Sequence, residues 1–136
     1  NMYLINILFS AFYSEFSNYY LCNSLHLTKY DSNKIMSSLH AIIMAVSSYN
    51  YLTNKITINF YMEFLLLSAG YCIYDINNVI RINLKNKKEL IFDNKLLILC
   101  ILCTIYENNE NIFHLLGVNI FSEISTTFLI VSIYLY

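Results

Sequence analysis

The apolar positions of this chain fall into five long stretches, separated by short connectors that carry most of the charged residues. Little in these stretches would end a helix, because the chain contains two Gly and no Pro. Alternating segments of about ten residues, as a membrane barrel requires, are not visible. The pattern therefore predicts five helices, at residues 2–25, 35–52, 56–80, 90–106 and 112–136.

The composition indicates the surroundings of these helices. Of the 136 residues, 57% are hydrophobic and only 12% are charged, whereas a water-soluble domain normally carries about 25% charged residues. Each stretch also lies within or close to the range of about 17–25 residues that spans a bilayer. The sequence therefore predicts an all-α integral membrane protein, a polytopic bundle of five transmembrane helices. Its apolar content excludes a disordered chain.

Charge narrows the partners and the orientation. The net charge of −1 and the lack of a basic-aromatic groove pattern exclude a strongly basic nucleic-acid binder. Lys and Arg mark the cytosolic loops of membrane proteins, and one set of loops carries Lys29, Lys34, Arg81, Lys85, Lys87, Lys88 and Lys95, against Lys55 on the other. We therefore expect the N-terminus to be lumenal or outside and the C-terminus to be cytosolic.

Several ionisable residues interrupt the apolar stretches, namely Glu15, His40, Glu63, Asp75 and Glu123. A charge at the centre of a membrane helix costs about 2.5–3.5 kcal/mol, so these side chains are expected to face protein or a wet cavity. Two polar stripes on the third stretch predict that it is the central helix. His40, Asp75, Asp93 and Asn94 are expected at a similar depth. They form a candidate lipid-binding cluster together with Glu63 and Glu123, or they only hydrogen-bond the helices to one another.

Two further motifs have a structural and a functional interpretation. The basic run Arg81, Lys85, Lys87 and Lys88 is typical of an orientation signal, and it is also a candidate contact for an anionic lipid or a CoA phosphate. Cys100 and Cys103 form a C-x-x-C motif without a second pair, which packing explains better than metal or redox chemistry. We therefore expect no metal site and no cofactor.

Three segments, taken together, resemble the TLC domain family, which includes ceramide synthases and translocation-associated membrane proteins. They are residues 33–41 (NKIMSSLHA), 68–75 (SAGYCIYD) and 123–128 (EISTTF), in the order and spacing of the family. The resemblance covers residues 29–136 as one helical bundle and leaves residues 1–28 as a first transmembrane helix. The non-ceramide-synthase branch is the nearest.

The chain departs from the family where paired His usually open the fourth helix. Residues 90–95 read LIFDNK, so Asp93 and Asn94 stand in place of that pair, which the family implicates in acyl transfer. Thr127 also replaces a Pro of the fifth-helix segment. The resemblance therefore implies a non-catalytic protein of lipid binding, lipid homeostasis or membrane composition, located in an endomembrane such as the endoplasmic reticulum.

Two alternatives stay open. One is acyl-CoA-dependent N-acylation of a sphingoid base, with His40 as general base, Asp75 as its orienting partner and the basic run as the CoA phosphate contact. The other is a protein-translocation accessory, as in other relatives of the family. The expected partners are membrane lipids, with acyl-CoA or a sphingoid base in the enzyme alternative. The sequence does not determine the oligomeric state.

Overall fold

The computed structural model describes residues 2–82 and 87–135, with side chains for residues 3–29, 31–81 and 87–122. Within these residues the chain forms five α-helices: α1 (Met2–Ser24), α2 (Lys29–Leu52), α3 (Ile58–Ile82), α4 (Lys87–Glu107) and α5 (Glu110–Leu135). The predicted helical class, and the number and order of the helices, are confirmed. Helix α2 begins six residues before the predicted start, because the polar residues that precede the apolar stretch also form helix.

The prediction of transmembrane helices is wrong. Over the residues described, no helix combines the length and the apolar character needed to cross a membrane. The prediction accepted Tyr, Asn and Ser as members of apolar stretches, although these residues lower the average hydropathy of each helix. Helix α4 shows the problem most clearly, because it carries Lys87, Lys88, Glu89, Asp93, Lys95 and Glu107 within its length. The predicted endomembrane location is a separate statement and stays a prediction.

Short connectors with left-handed residues separate the helices. His26, Asn54 and Asn108 follow the ends of α1, α2 and α4 with φ values of 53°, 60° and 49°, a conformation that commonly ends helices and that Asn tolerates well. The next helix then begins with a side-chain cap. The Thr28 hydroxyl accepts a hydrogen bond from the Asp31 backbone N–H at 3.1 Å, and the Thr57 hydroxyl accepts one from the Phe60 N–H at 3.3 Å.

Helix α3 is the central helix, as predicted, because it packs against α1, α2 and α4 and carries more buried side chains than any other helix among the described residues. Helices α1 and α3 cross most closely at Gly70. A Cβ atom at this position would lie 2.5 Å from the Ile7 carbonyl oxygen and 2.5 Å from the Ser10 Cβ. The Ser10 hydroxyl donates a hydrogen bond to the Leu67 carbonyl oxygen across the same crossing, at 2.8 Å.

The apolar core combines mainly side chains of α2, α3, α4 and α5. Its most buried side chains are Met44, Tyr61, Leu65, Leu66, Ile101 and Phe113. Because α2 runs antiparallel to α3, the first turns of α2 and α4 meet the last turns of α3 at the opposite end of the bundle. We call this region the polar end, since it contains His40, Asp75 and Asn94 and most of the basic residues.

Candidate functional site

The polar end is organised around the Asp75 carboxylate of α3. Its Oδ2 accepts a hydrogen bond of 2.8 Å from the Asn94 amide of α4, and Asn94 is itself oriented by the Leu90 carbonyl oxygen at 2.9 Å. Burial raises the pKa of Asp75 above its ordinary value, while hydrogen bonds from Asn94 and Asn33 act in the opposite direction. The structure thus brings together two of the four residues expected in this cluster.

His40 of α2 has partners on α3 that differ from those of Asp75. Its Nε2 lies 2.8 Å from the Ser68 hydroxyl oxygen of α3. Its ring stacks on Tyr71, with centroids 4.1 Å apart and planes inclined by 17°. Burial lowers the pKa of His40 from 6.5 to about 4. The imidazole is therefore neutral near pH 7 and available as a hydrogen-bond acceptor or donor, according to its tautomer.

Tyr71 links these two groups. Its ring covers His40. Burial, and after it the charge of Asp75 one helical turn away, raises the pKa of the Tyr71 phenol. The Tyr71 hydroxyl makes no hydrogen bond of normal geometry within the described part of the chain, although the Ser37 hydroxyl is close enough to lower the phenol pKa. The proposed orientation of His40 by Asp75 is therefore not what the contacts show, since Ser68 contacts His40 and the amides of Asn94 and Asn33 contact Asp75.

Besides the Tyr71 hydroxyl, three buried polar atoms near Asp75 lack a hydrogen-bond partner among the described residues. They are Asn33 Oδ1, the Tyr74 hydroxyl and Asn78 Nδ2. Tyr74 is 2% exposed and Asn78 is 4% exposed, so water does not readily replace a missing partner there. Each such atom costs about 1–3 kcal/mol when left unsatisfied. The polar end therefore contains buried donors and a buried acceptor that no described residue satisfies.

The remaining sequence-predicted site residues lie elsewhere. Asp93 is exposed, and Glu63 is exposed at the other end of α3, where its Oε2 accepts a long hydrogen bond of 3.5 Å from Asn6. The expectation that Glu63 faces the bundle interior is therefore wrong. The Glu123 side chain and the whole of Lys85 lie outside the described residues.

The basic residues surround the polar end without forming one closed site. Arg81 Nη1 donates to Glu15 Oε1 at 2.8 Å, and both side chains are about half exposed. Lys87 Nζ lies 3.5 Å from the Ile80 carbonyl oxygen, and Lys88 is exposed. These side chains are accessible to an anionic partner, although Arg81 is already paired.

Three residues of the cluster were absent from the predicted site. Ser68 and Tyr71 belong to the same polar stripe of α3 as Asp75, so helical spacing alone could have included them. Asn33 lies in the first turns of α2, before the predicted helix, and its position next to Asp75 follows only from the tertiary structure.

Neither a search for metal-binding groups among the described residues nor a comparison with known proteins adds to this description of the site. No group of three or more His, Cys, Asp or Glu is placed to hold a metal ion in the described part of the chain, and Cys100 and Cys103 are both exposed. Comparison of the chain with protein-family models, curated proteins and solved structures finds no match. The fold and the site thus define an all-α bundle with a partly buried polar cluster at one end.

Proposed function

We propose that this protein is a non-catalytic lipid-binding helical bundle. The observation that carries the proposal is the exposed face of α1. Nine large apolar or aromatic side chains on one side of this helix are 45–74% exposed. The buried positions on its other side include small and polar residues. The exposed residues are Leu4, Ile5, Leu8, Phe9, Phe12, Tyr13, Phe16, Tyr19 and Tyr20, and the buried polar ones are Ser10, Ser14 and Asn18.

The burial pattern of α1 is inverted relative to a helix whose outer face meets water. Phe9, Phe12 and Phe16 are 71%, 74% and 66% exposed, and covering a side chain of this size is worth about 1.5–3 kcal/mol when complete. A contiguous apolar patch of this kind marks an interaction site for a protein, a membrane or a ligand. The face covers about half of the helix circumference at 100° per residue. Its width favours acyl chains over a single partner helix.

Charge on and beside α1 fits a lipid partner. Glu15 is the one charged residue of α1, and Arg81 neutralises it at 2.8 Å. Arg81, Lys87 and Lys88 lie at the same end of the bundle, where α1 and α3 both finish, and a Lys or Arg near an anionic lipid surface contributes about 1 kcal/mol. We therefore propose that acyl chains pack on α1 and that these cations contact anionic headgroups.

The polar end supplies the proposed headgroup contacts. Tyr74 connects it to α1, since burial and then the charges of Glu15 and Asp75 raise the pKa of its phenol. The unpaired atoms of Tyr74, Asn78 and Asn33 are covered in the structure, so a polar headgroup would hydrogen-bond to them once the side chains above them move aside. The resemblance of three segments to the TLC family points to the same class of ligand, and that resemblance is itself a proposal.

Flotation of the protein with lipid vesicles tests this function. We expect binding to phosphatidylcholine vesicles that strengthens when phosphatidylserine is added. Changing Phe9, Phe12 and Phe16 to Ser should abolish flotation. The matched control changes Leu39, Ile42 and Val46 of α2, which are 50%, 44% and 55% exposed, to Ser and should leave flotation unchanged. Equal flotation of both triple variants would contradict the proposal.

The basic residues have a separate expected effect in the same assay. Replacing Lys87 or Lys88 with Gln should weaken binding to vesicles that contain phosphatidylserine by up to about fivefold each, because each cation contributes about 1 kcal/mol there. Binding to pure phosphatidylcholine should not change. A loss of the same size on both vesicles would show that these residues act through the fold.

A second candidate function, acyl transfer, rests on the contact between His40 Nε2 and the Ser68 hydroxyl at 2.8 Å. A neutral imidazole can act as a general base, an effect worth typically 10²–10⁴-fold in rate. Ser68 is only 1% exposed, however, and Asp75 is hydrogen-bonded to Asn94 at 2.8 Å rather than to the imidazole. A substrate would therefore meet a covered hydroxyl and a base without an orienting acid.

We accordingly expect no product when the purified protein is given acyl-CoA and a sphingoid base. Asp93, which stands in place of the family's paired His, is exposed rather than buried in the cluster, so it does not supply a hydrogen-bond donor to a developing oxyanion there. Mass spectrometry of the reaction should show N-acylated base at background level. Turnover that disappears in the His40→Ala variant would contradict this prediction and favour the enzyme alternative.

A further inference from the structure

Helix α4 carries a second exposed apolar face, on the side opposite its contacts with the bundle. Asn94, Ile101 and Thr104 face inward, since Asn94 bonds to Asp75 and the other two are 0% and 4% exposed. The outward face consists of Phe92, Leu96, Leu99, Cys103 and Tyr106, which are all exposed. Among the described residues, none covers this row of side chains, so the row is exposed to solvent.

The row follows the spacing of a coiled-coil seam. Its members are separated alternately by four and three residues, which is the heptad spacing of positions d and a. The exposed fractions of Phe92, Leu99 and Tyr106 are 64%, 58% and 87%. Because α4 is already held helical by the bundle, the cost of forming the helix does not oppose association through this row.

The residues that flank the seam carry opposite charges on its two sides. Lys88 and Lys95 occupy the g positions on one side, and Asp93 and Glu107 occupy e positions on the other. Such e and g residues set the partner and the orientation of paired helices. The broad apolar face of α1 is not flanked by charged residues on both sides. The exposed faces of α1 and α4 therefore fit different kinds of partner.

The charge pattern selects a parallel arrangement of two identical helices. In a parallel pair each g residue faces the e residue five positions further along the other chain, which joins Lys88 to Asp93 of the second copy twice. In an antiparallel pair, g faces g and e faces e, so that Lys approaches Lys and Asp or Glu approaches its like. Like charges that face each other are unfavourable.

We propose that this face of α4 binds α4 of a second copy of the chain, in parallel about a twofold axis. Phe92, Leu96, Leu99, Cys103 and Tyr106 form the seam, and two Lys88–Asp93 pairs between the copies fix its register. The Cys103 residues of the two copies then face each other in the seam, while Cys100 lies at its edge. The interface is independent of the lipid-binding function proposed above, because it uses the outward face of α4 and no residue of α1.

Sedimentation equilibrium tests the dimer. We expect the unaltered chain to sediment as a dimer and the Leu99→Lys variant, which places a charge in the seam, as a monomer. Leu115→Lys is the matched control, because Leu115 is 64% exposed on α5, and it should remain dimeric. A monomeric unaltered chain, or a Leu99→Lys variant that is still dimeric, would overturn the proposal.

Charge exchange and crosslinking test the register. Asp93→Lys should raise the dissociation constant between about twofold and thirtyfold, as expected for two exposed ion pairs, and adding Lys88→Asp should restore it. A short bismaleimide should join chains that retain only Cys103 and should join chains that retain only Cys22 far less. Failure of the double exchange to restore binding, or crosslinking of both chains alike, would overturn the parallel arrangement.

Discussion

Single residues determine the chemistry of the polar end through hydrogen bonds to uncharged partners. His40 is uncharged because burial lowers its pKa to about 4, and its contacts are a hydroxyl and a phenol ring. Asp75 is held by the amides of Asn94 and Asn33. A site of this kind suits the binding of a polar headgroup better than the transfer of protons between charged groups.

The low pKa of His40 makes the stability of the fold depend on pH. The unfolded chain binds a proton at His40 near pH 6.5, whereas the folded chain binds it only near pH 4. The contribution of His40 is therefore most favourable above pH 6.5 and is lost as the pH falls toward 4, by roughly 3 kcal/mol in total. The raised pKa of Asp75 acts in the opposite direction, since the folded chain gains its proton first as the pH falls.

We expect the stability of the His40→Gln variant to fall much less between pH 7 and pH 4 than that of the unaltered chain. Gln does not titrate in this range, but it can still form a hydrogen bond. Urea unfolding at several pH values between 7 and 4 measures the effect. Ser68→Ala is the control, since it removes the hydroxyl that contacts His40 and leaves the titrating ring. It should lower stability at every pH and keep the dependence. An unchanged dependence in His40→Gln would contradict the assignment.

The residues of this cluster were only partly predictable from the sequence. Helical spacing places Ser68, Tyr71 and Asp75 on one face of α3, which the structure shows as a connected group. The pairing of His40 with Asp75 was not found, because the partner of each depends on the offset between α2 and α3. A sequence pattern gives the face of a helix but not that offset.

At the scale of helices, close contact between α1 and α3 depends on one glycine. Because Gly70 has no side chain, the backbone of α1 at Ile7 packs directly against α3. A Cβ atom at position 70 would lie only 2.5 Å from the Ile7 carbonyl oxygen. Ser10 adds a hydrogen bond to the Leu67 carbonyl at this point. The small residues of α1 are therefore turned inward, and its large apolar residues are turned outward as a consequence.

Gly70→Ala should destabilise the fold, whereas Gly117→Ala should not. The new Cβ at position 70 would lie 2.5 Å from a carbonyl oxygen, while at position 117 its nearest neighbour is Leu52 Cδ2 at 3.5 Å. Overpacking costs about 1–3 kcal/mol, and Ala gains up to about 1 kcal/mol over Gly in a helix. Thermal unfolding of both variants measures the difference. Equal stability of the two would contradict the close crossing.

Helix boundaries were predictable where they coincide with a change in polarity. The predicted ends at residues 25, 52 and 106 lie within one residue of the observed ends of α1, α2 and α4. The starts of α2 and α4 were placed too late, because Lys29, Asp31 and Lys87 lie outside the apolar stretches yet belong to helices. Hydropathy marks apolar segments, whereas capping by Thr28 marks where α2 begins.

At the scale of the whole molecule, the composition was interpreted correctly as unusual and wrongly as proof of membrane-crossing helices. The excess of apolar residues is present on the surface, as the exposed faces of α1 and α4 show. Charged residues interrupt the apolar stretches of α3 and α4, so these two helices do not form long apolar spans. The two faces differ in width and in flanking charge, and we assign them to lipid and to a second copy of the chain.

The central claim is that acyl chains contact the exposed face of α1. It is tested most directly by attaching bimane to a Phe12→Cys variant, in a chain whose native cysteines are replaced, and adding vesicles of phosphatidylcholine with brominated acyl chains. We predict strong quenching at this position and little at an Asn108→Cys variant, in the exposed connector between α4 and α5. Quenching that is absent at position 12, or equal at both positions, would contradict the claim.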